Sequence, residues 1–242
     1  VVWRAYAGSL GLHCALKMVL PSPGGDRDRL RLLREARVAA KLRSPYVVTI
    51  YDVGEWEGFA FIAMELLDGQ SLGQLLATHG ALPGPLTLEL MRQASLALEK
   101  AHAAGLVHRD LKPDNIFVVE REPLLIKLLD FGIAKQLQAD GTDSDLMPSI
   151  TGAIVGTPRY MSPEQANGAS DLDFRSDLWS LAIIAFECLT GKRPFYSDGL
   201  GDLVLTICVR DLPVPSDVAP VPLGFDEWFA RGHGRSTAST PA

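Results

Sequence analysis

An α+β chain in two lobes, a small β-rich one followed by a larger helical one, is what the sequence predicts. Three observations carry this. Strand-type segments are concentrated before Glu65, around a single helical pattern. After Leu67-Asp68-Gly69 the period changes and long helical patterns take over. Finally, 47% hydrophobic and 21% charged residues over 242 positions is an ordinary globular profile, enough for one large domain or two small lobes.

The elements follow in order. Val1 to Tyr6 and His13 to Val19 are β-branched or apolar, with a turn supplied by Gly8 to Gly11. Asp26 to Leu42 predicts a helix, with Leu30, Leu33, Ala36 (or Arg37) and Ala40 near a 3.6 period and Ser44-Pro45 as its stop. Val47 to Val53 and Phe59 to Met64 predict a hairpin around Gly54-Glu55-Trp56-Glu57-Gly58. Leu86, Leu90, Ala94, Ala97 and Ala101 line one face of a helix ending near Gly105. Two short strands, Ile116 to Val119 and Leu124 to Leu128, precede an Asp130-Phe131-Gly132 turn. Ala139 to Ser149 is polar and turn-rich, a mobile loop by composition, and Arg175 to Thr190 predicts a buried apolar helix. From Gly232 to Ala242 the composition shifts to Gly, Ser, Thr and Pro, the expected signature of a disordered tail.

Charge and cysteine content narrow the function classes. A net charge of -6 argues against non-specific nucleic-acid binding. Cys14, Cys188 and Cys208 are far apart and odd in number, so they predict reduced thiols in a cytoplasmic protein rather than disulfides or a metal site. No stretch approaches the ~18 apolar residues of a membrane span, and Arg4 follows Val1, Val2 and Trp3 at once, unlike a signal peptide.

The densest chemistry is His108-Arg109-Asp110-Leu111-Lys112-Pro113-Asp114-Asn115. Asp110 and Lys112 can face one site together, and Asn115 adds a metal-binding oxygen. Fifteen residues beyond Asn115, Asp130-Phe131-Gly132 puts a second acid on a tight turn after a strand. Phosphoryl transfer requires this set: a group to orient the hydroxyl, hard oxygens for a divalent cation, and fixed positive charge on the phosphates.

On these motifs the sequence resembles the eukaryotic-like (Hanks-type) serine/threonine protein kinases, and more closely their bacterial members. The resemblance runs from Val1 to about Arg231. It implies a two-lobed kinase fold with an N-lobe over 1–64, a hinge over 65–69, a C-lobe over 70–231 and a tail over 232–242. The implied activity is transfer of the ATP γ-phosphoryl to Ser or Thr of a protein substrate, with ATP and Mg²⁺. By resemblance Asp110 orients the hydroxyl, Lys112 and Thr157 complete the catalytic set, and Asn115 and Asp130 hold the metal. Lys17, in Cys14-Ala15-Leu16-Lys17, would hold the α- and β-phosphates, with Glu35 as its ion-pair partner. Val2 and Ala15 would sandwich the adenine, Met64 would border its pocket, and Glu65, Leu66 and Leu67 would form the hinge. Asp177 matches the buried acid that anchors the catalytic loop, and Ser162 and Ala182 stand where the family usually has Ala and Gly. Arg109 is the residue that makes the family's activity respond to a phosphate on the activation segment. Among Thr142, Ser144, Ser149 and Thr151 the favoured site is Thr151, six residues before Thr157, and its labelling would involve self-association.

The resemblance also implies departures. Only the last two positions of the glycine-rich loop are represented, so the expectation is a domain truncated at both ends, lacking the first N-lobe strand and the last C-lobe helices. The Arg that would pair with Glu164 has no match, and Glu164 is expected to be strained or solvent-exposed. The alternative is therefore a catalytically silent kinase-fold binding module. A small-molecule phosphotransferase with a similar catalytic loop is disfavoured by Lys112 and by Met161-Ser162-Pro163-Glu164.

Overall fold

The computed structural model describes residues 2–8, 11–19, 25–131, 158–169, 171–197 and 199–232. Gly132, the 139–149 segment, Thr142, Ser144, Ser149, Thr151, Thr157 and residues 233–242 lie outside the described residues.

Four strands, β1 (Val2–Ala7), β2 (Leu12–Val19), β3 (Ile50–Trp56) and β4 (Phe59–Glu65), form an antiparallel sheet of order β1-β2-β4-β3. Helix α1 (Gly25–Ala39) covers it, burying Leu33 and Ala36 against Ala60 and Ile62, with Ile50 and Val53 at the edge. The expected stripe is corrected at two points. Leu30 is exposed, because at 100° per residue it stands about 120° round the helix from Ala36, while Ala39 is buried instead. The helix also stops three residues short of Leu42.

The expected hairpin is shifted. Strand β3 runs on through Gly54 to Trp56, and only Glu57 and Gly58 turn, with φ of 48° and 82°. Two successive positive φ values match the twist of the flanking strands. Gly54 is needed inside the strand for another reason: a Cβ there would meet the Phe61 ring at 2.8 Å. Val47 and Val48, assigned to β3 by their β-branching, instead join the other lobe. Val48 N donates to Leu128 O at 3.0 Å, and Leu128 N donates to Tyr46 O at 2.8 Å.

After β4, β5 (Gly69–Ser71), β6 (Ile116–Val119) and β7 (Leu125–Leu128) make a small second sheet in that order. Around it stand α2 (Leu72–His79), α3 (Gly84–Ala103), α4 (Pro163–Ala166), α5 (Arg175–Thr190), α6 (Leu200–Val209), α7 (Pro215–Val218) and α8 (Phe225–Gly232). Ser71 begins α2 with a capping box to Gln74, satisfying two end groups at once. The face predicted for α3 holds: Leu90, Ala94, Ala97 and Ala101 are buried. Helix α5, apolar on nearly every side, is the central post of the lobe, and all but two of its sixteen residues are buried. It ends at Gly191, whose φ of 66° and approach to Ala81 N (2.8 Å from an added Cβ) admit no larger side chain. Phe186 packs on Phe229 of α8 (ring centroids 5.2 Å apart), so α8 closes the core below α5. Each such buried aromatic contributes about 1.5–3 kcal/mol. Among the described residues, no helix is long and apolar enough to cross a membrane.

Candidate active site

The site is built where three apolar elements end. Strand β7 delivers Asp130 and Phe131, strand β6 is preceded by a 3₁₀ turn at Pro113–Asn115, and buried α5 presents Asp177. Asp177 has no solvent exposure and accepts three hydrogen bonds. Its Oδ2 receives His108 N at 2.8 Å and His102 Nε2 at 2.7 Å, and Oδ1 receives Arg109 N at 2.9 Å. The helix therefore fixes the loop backbone immediately before Asp110. Gln165 Nε2 adds a bond to Arg109 O at 2.7 Å, tying α4 to the same loop. Held this way, Arg109 takes a φ of 61°, a left-handed conformation that costs a non-glycine residue about 1 kcal/mol or more. Asp130, at 51°, stores the same strain.

The reactive side chains converge. Lys112 Nζ lies 3.0 Å from Asp110 Oδ2, and Asn115 Nδ2 donates to Asp110 O at 2.7 Å and to Oδ2 at 3.3 Å. With its nitrogen committed inward, Asn115 presents its amide oxygen as a hard donor. Lys17, on β2, reaches across the cleft to Asp130 Oδ1 at 2.7 Å. The carboxylate that the structure sets against Lys17 is that of Asp130, where the resemblance implies Glu35. Glu35 stands half-buried on α1, which turns Leu33, Ala36 and Ala39 to the sheet and packs against β3 and β4.

Strand register collects the expected nucleotide contacts. Val2 pairs with Lys17, Ala15 with Met64, and Lys17 with Ile62. Paired residues share a face and alternate residues repeat it, so Val2, Ala15, Lys17 and Met64 lie on one side of the sheet. Met64 is buried and Val2 is exposed at the open end. Glu65 ends β4, followed by the extended connection Leu66-Leu67-Asp68. Glu164 is exposed, as expected. Ser162 has a positive reason for its place: it caps α4 through Gln165.

Three functional contacts escape a sequence reading. His102, isolated in the sequence and five residues ahead of the loop it supports, comes within hydrogen-bonding reach of Asp177. Lys127 is 8% exposed, inside apolar β7, and its Nζ meets Glu65 Oε1, at the end of β4, at 2.7 Å. A charge at an interior strand position was the signal available for it. Gln165 carries no such signal.

His108 is buried against Phe131, ring centroids 4.8 Å apart, and its Nε2–H donates to Leu129 O at 2.9 Å. Burial holds its pKa below the usual 6.5, overriding the nearby carboxylates. The unfolded chain therefore takes up this proton near 6.5 and the folded chain only at lower pH. Stability is expected to fall on acidification below 6.5, by up to about 1.4 kcal/mol per pH unit from this group. Urea unfolding across that range tests it; a His108→Gln chain whose slope equals the wild type's would refute the assignment.

With this geometry established, comparison with known proteins is informative. The protein kinase domain family model matches residues 1–211. Serine/threonine-protein kinase pkn3 of Myxococcus xanthus is 38% identical over 248 aligned positions, covering 100% of this chain and 45% of that protein. PknD of Mycobacterium tuberculosis is 37% identical over 227, covering 93% of this chain and 33% of the relative. The chain thus spans between a third and just under half of the curated relatives it matches. Among solved structures, Rad53 1–466 in complex with AMP-PNP superposes with a TM-score of 0.75 at 27% identity, over 98% of this chain and 58% of that one. A loop that sets Asp110, Lys112 and Asn115 together on a buried Asp177 is thus found in a chain that belongs to the protein kinase family, in its bacterial Hanks-type serine/threonine branch.

Proposed function

We propose that this chain transfers the γ-phosphoryl of ATP to Ser or Thr hydroxyls of protein substrates, within a kinase domain spanning 1–231 and hinged at 65–69. The observation that carries the reading is the Asp110–Lys112–Asn115 cluster, with a carboxylate and an ammonium 3.0 Å apart and the Asn115 amide bonded to both the backbone and the side chain of Asp110. Asp110 orients the acceptor hydroxyl and takes its proton, and Lys112 steadies the transferring phosphoryl by charge. Lys17 holds the α- and β-phosphates once they enter, exchanging its Asp130 partner for phosphate oxygens, and Glu35 is the carboxylate that would place it then. Val2, Ala15 and Met64 offer apolar surface to the adenine ring, with backbone groups of Glu65 and Leu67 at its edge. Thr157 and Thr151 belong to the same reading as a catalytic-site hydroxyl and a phosphate acceptor, the latter answered by Arg109.

The donor set fits magnesium. Asn115 and Asp130 supply two hard oxygens, and among the described residues no group of three His, Cys, Asp or Glu could make a dedicated cage. A cation that keeps waters and phosphate oxygens in most of its positions suits that arrangement. When bound, it would neutralise charge on the β- and γ-phosphate oxygens.

The silent-module reading is favoured by one observation, the closed Lys17–Asp130 pair. Incubation of the purified chain with labelled ATP and Mg²⁺ separates the two. Incorporation of label, mapped to Thr151, is the expected outcome. No label, together with no magnesium-dependent nucleotide shift in melting, would leave the silent module.

A further inference from the structure

A cavity of about 530 Å³ is bounded by α2, the catalytic loop and the end of α5. Its walls include Pro113 and Asp114, the two residues between Lys112 and Asn115, and Gly73, Glu187, Lys192 and Arg193. A peptide advances only 3.3–3.6 Å per residue. A substrate with its hydroxyl at Asp110 therefore brings neighbouring side chains to this cavity. The floor is a buried carboxylate: Glu187 is 7% exposed. Both its oxygens are already engaged from within the chain. Tyr160 Oη–H donates to Oε2 at 2.5 Å, and Arg193 Nε, at the rim, donates to Oε1 at 2.9 Å. Burial, reinforced by the Glu187 charge, holds the Tyr160 hydroxyl protonated far above its ordinary range, so it donates to Glu187 while its oxygen accepts from Arg193.

We propose that Arg193 is a specificity-determining residue, an internal cation that occupies Glu187 and so denies the pocket to a basic side chain of the substrate. This rests on the reading of the chain as a protein kinase, since it takes the cavity for part of a peptide groove. The physics is one of exchange. A substrate guanidinium could reach Glu187 only by displacing Arg193, which trades one ion pair for another and adds desolvation of the incoming charge. Removing Arg193 leaves the floor carboxylate with one neutral donor and open to the cavity, where an incoming cation supplies the missing partner. The same residue that closes the pocket to arginine thus decides which side chains it accepts.

Peptide binding tests this without any phosphoryl transfer. Fluorescent Ser peptides carrying one Arg, Leu or Glu, scanned position by position, are titrated by anisotropy against the wild type, R193A and R193A/E187Q. The wild type should bind Arg and Leu peptides alike. R193A should bind an Arg peptide about fivefold tighter at one position, the size of a partly screened ion pair, and R193A/E187Q should lose that gain. Should R193A fail to fold, E187Q gives the converse: its Arg193 is released, and Glu peptides should gain by about the same factor. A wild type that already gains from Arg, or folded variants whose preference does not move, would overturn the proposal. Selective peptide binding by a chain that neither labels itself nor shows a magnesium-dependent nucleotide shift in melting would sink the transferase reading and leave this one standing. Self-labelling with no peptide binding would do the reverse.

Discussion

Asp110→Asn is expected to lower phosphoryl transfer by about 10³-fold, the middle of the range for a positioned general base, with nucleotide affinity and melting nearly unchanged. The isosteric amide keeps the shape of the loop. Its oxygen can still accept from Lys112, which lies 3.0 Å from the carboxylate, and the inward bond from Asn115 to Asp110 O involves the backbone and survives. What disappears is the negative charge that orients the hydroxyl and the basicity that removes its proton. Single-turnover transfer from labelled ATP to a generic protein substrate measures the first, and calorimetric titration with a non-hydrolysable nucleotide measures the second. A fall of less than about tenfold would mean that another group takes the proton. A parallel loss of nucleotide affinity would mean that Asp110 acts by shaping the cleft.

The legible parts of this protein are those where a local rule and the tertiary fold agree. Helix α5 was readable to the residue, Arg175–Thr190, because an unbroken apolar run of that length has only one place to go. The loop His108–Asn115 was legible because its residue types are dictated by chemistry. Misreadings cluster where a local rule was met but tertiary structure used the residue otherwise. Val47 and Val48 have strand chemistry and pair with Leu128 of the other lobe. Gly54 has turn chemistry and lies inside β3 because Phe61 covers it. Contacts distant in sequence carried no local signal at all, among them Lys127 with Glu65 and His102 with Asp177. Lys17 is the instructive case. The resemblance implies it as a phosphate ligand, yet the carboxylate it meets is set by how the lobes come together, and that is Asp130. A pair with side-chain exposures of 23% and 37% is partly screened, so phosphate oxygens can replace it at modest cost.

Asp177→Ala should be the most damaging single change to stability, costing about 3–5 kcal/mol, as removal of one member of a buried charge network does. Against a typical total of 5–15 kcal/mol this approaches global unfolding, and the melting temperature should fall by roughly 10 °C in a chain of this size. The loss has identifiable parts. His108 N and Arg109 N would be left without acceptors in a site that is 0% exposed at the aspartate, each at about 1–3 kcal/mol. His102 would lose its partner too, though its 17% side-chain exposure lets water soften that term. Asp177→Asn should fall between the alanine variant and the wild type, because one amide oxygen can still accept while the amide nitrogen faces a donor. His102→Gln should be the mildest of the three. Chemical denaturation of the set tests the order, and equal losses for alanine and asparagine would mean that charge matters more than the acceptor count. Transfer rates measured well below each variant's melting temperature add a second test. If Asp177 holds Arg109 in its left-handed conformation, the alanine variant must lose rate even where it remains folded, because the strain at φ 61° then has nothing to oppose it and Asp110 moves with its neighbour.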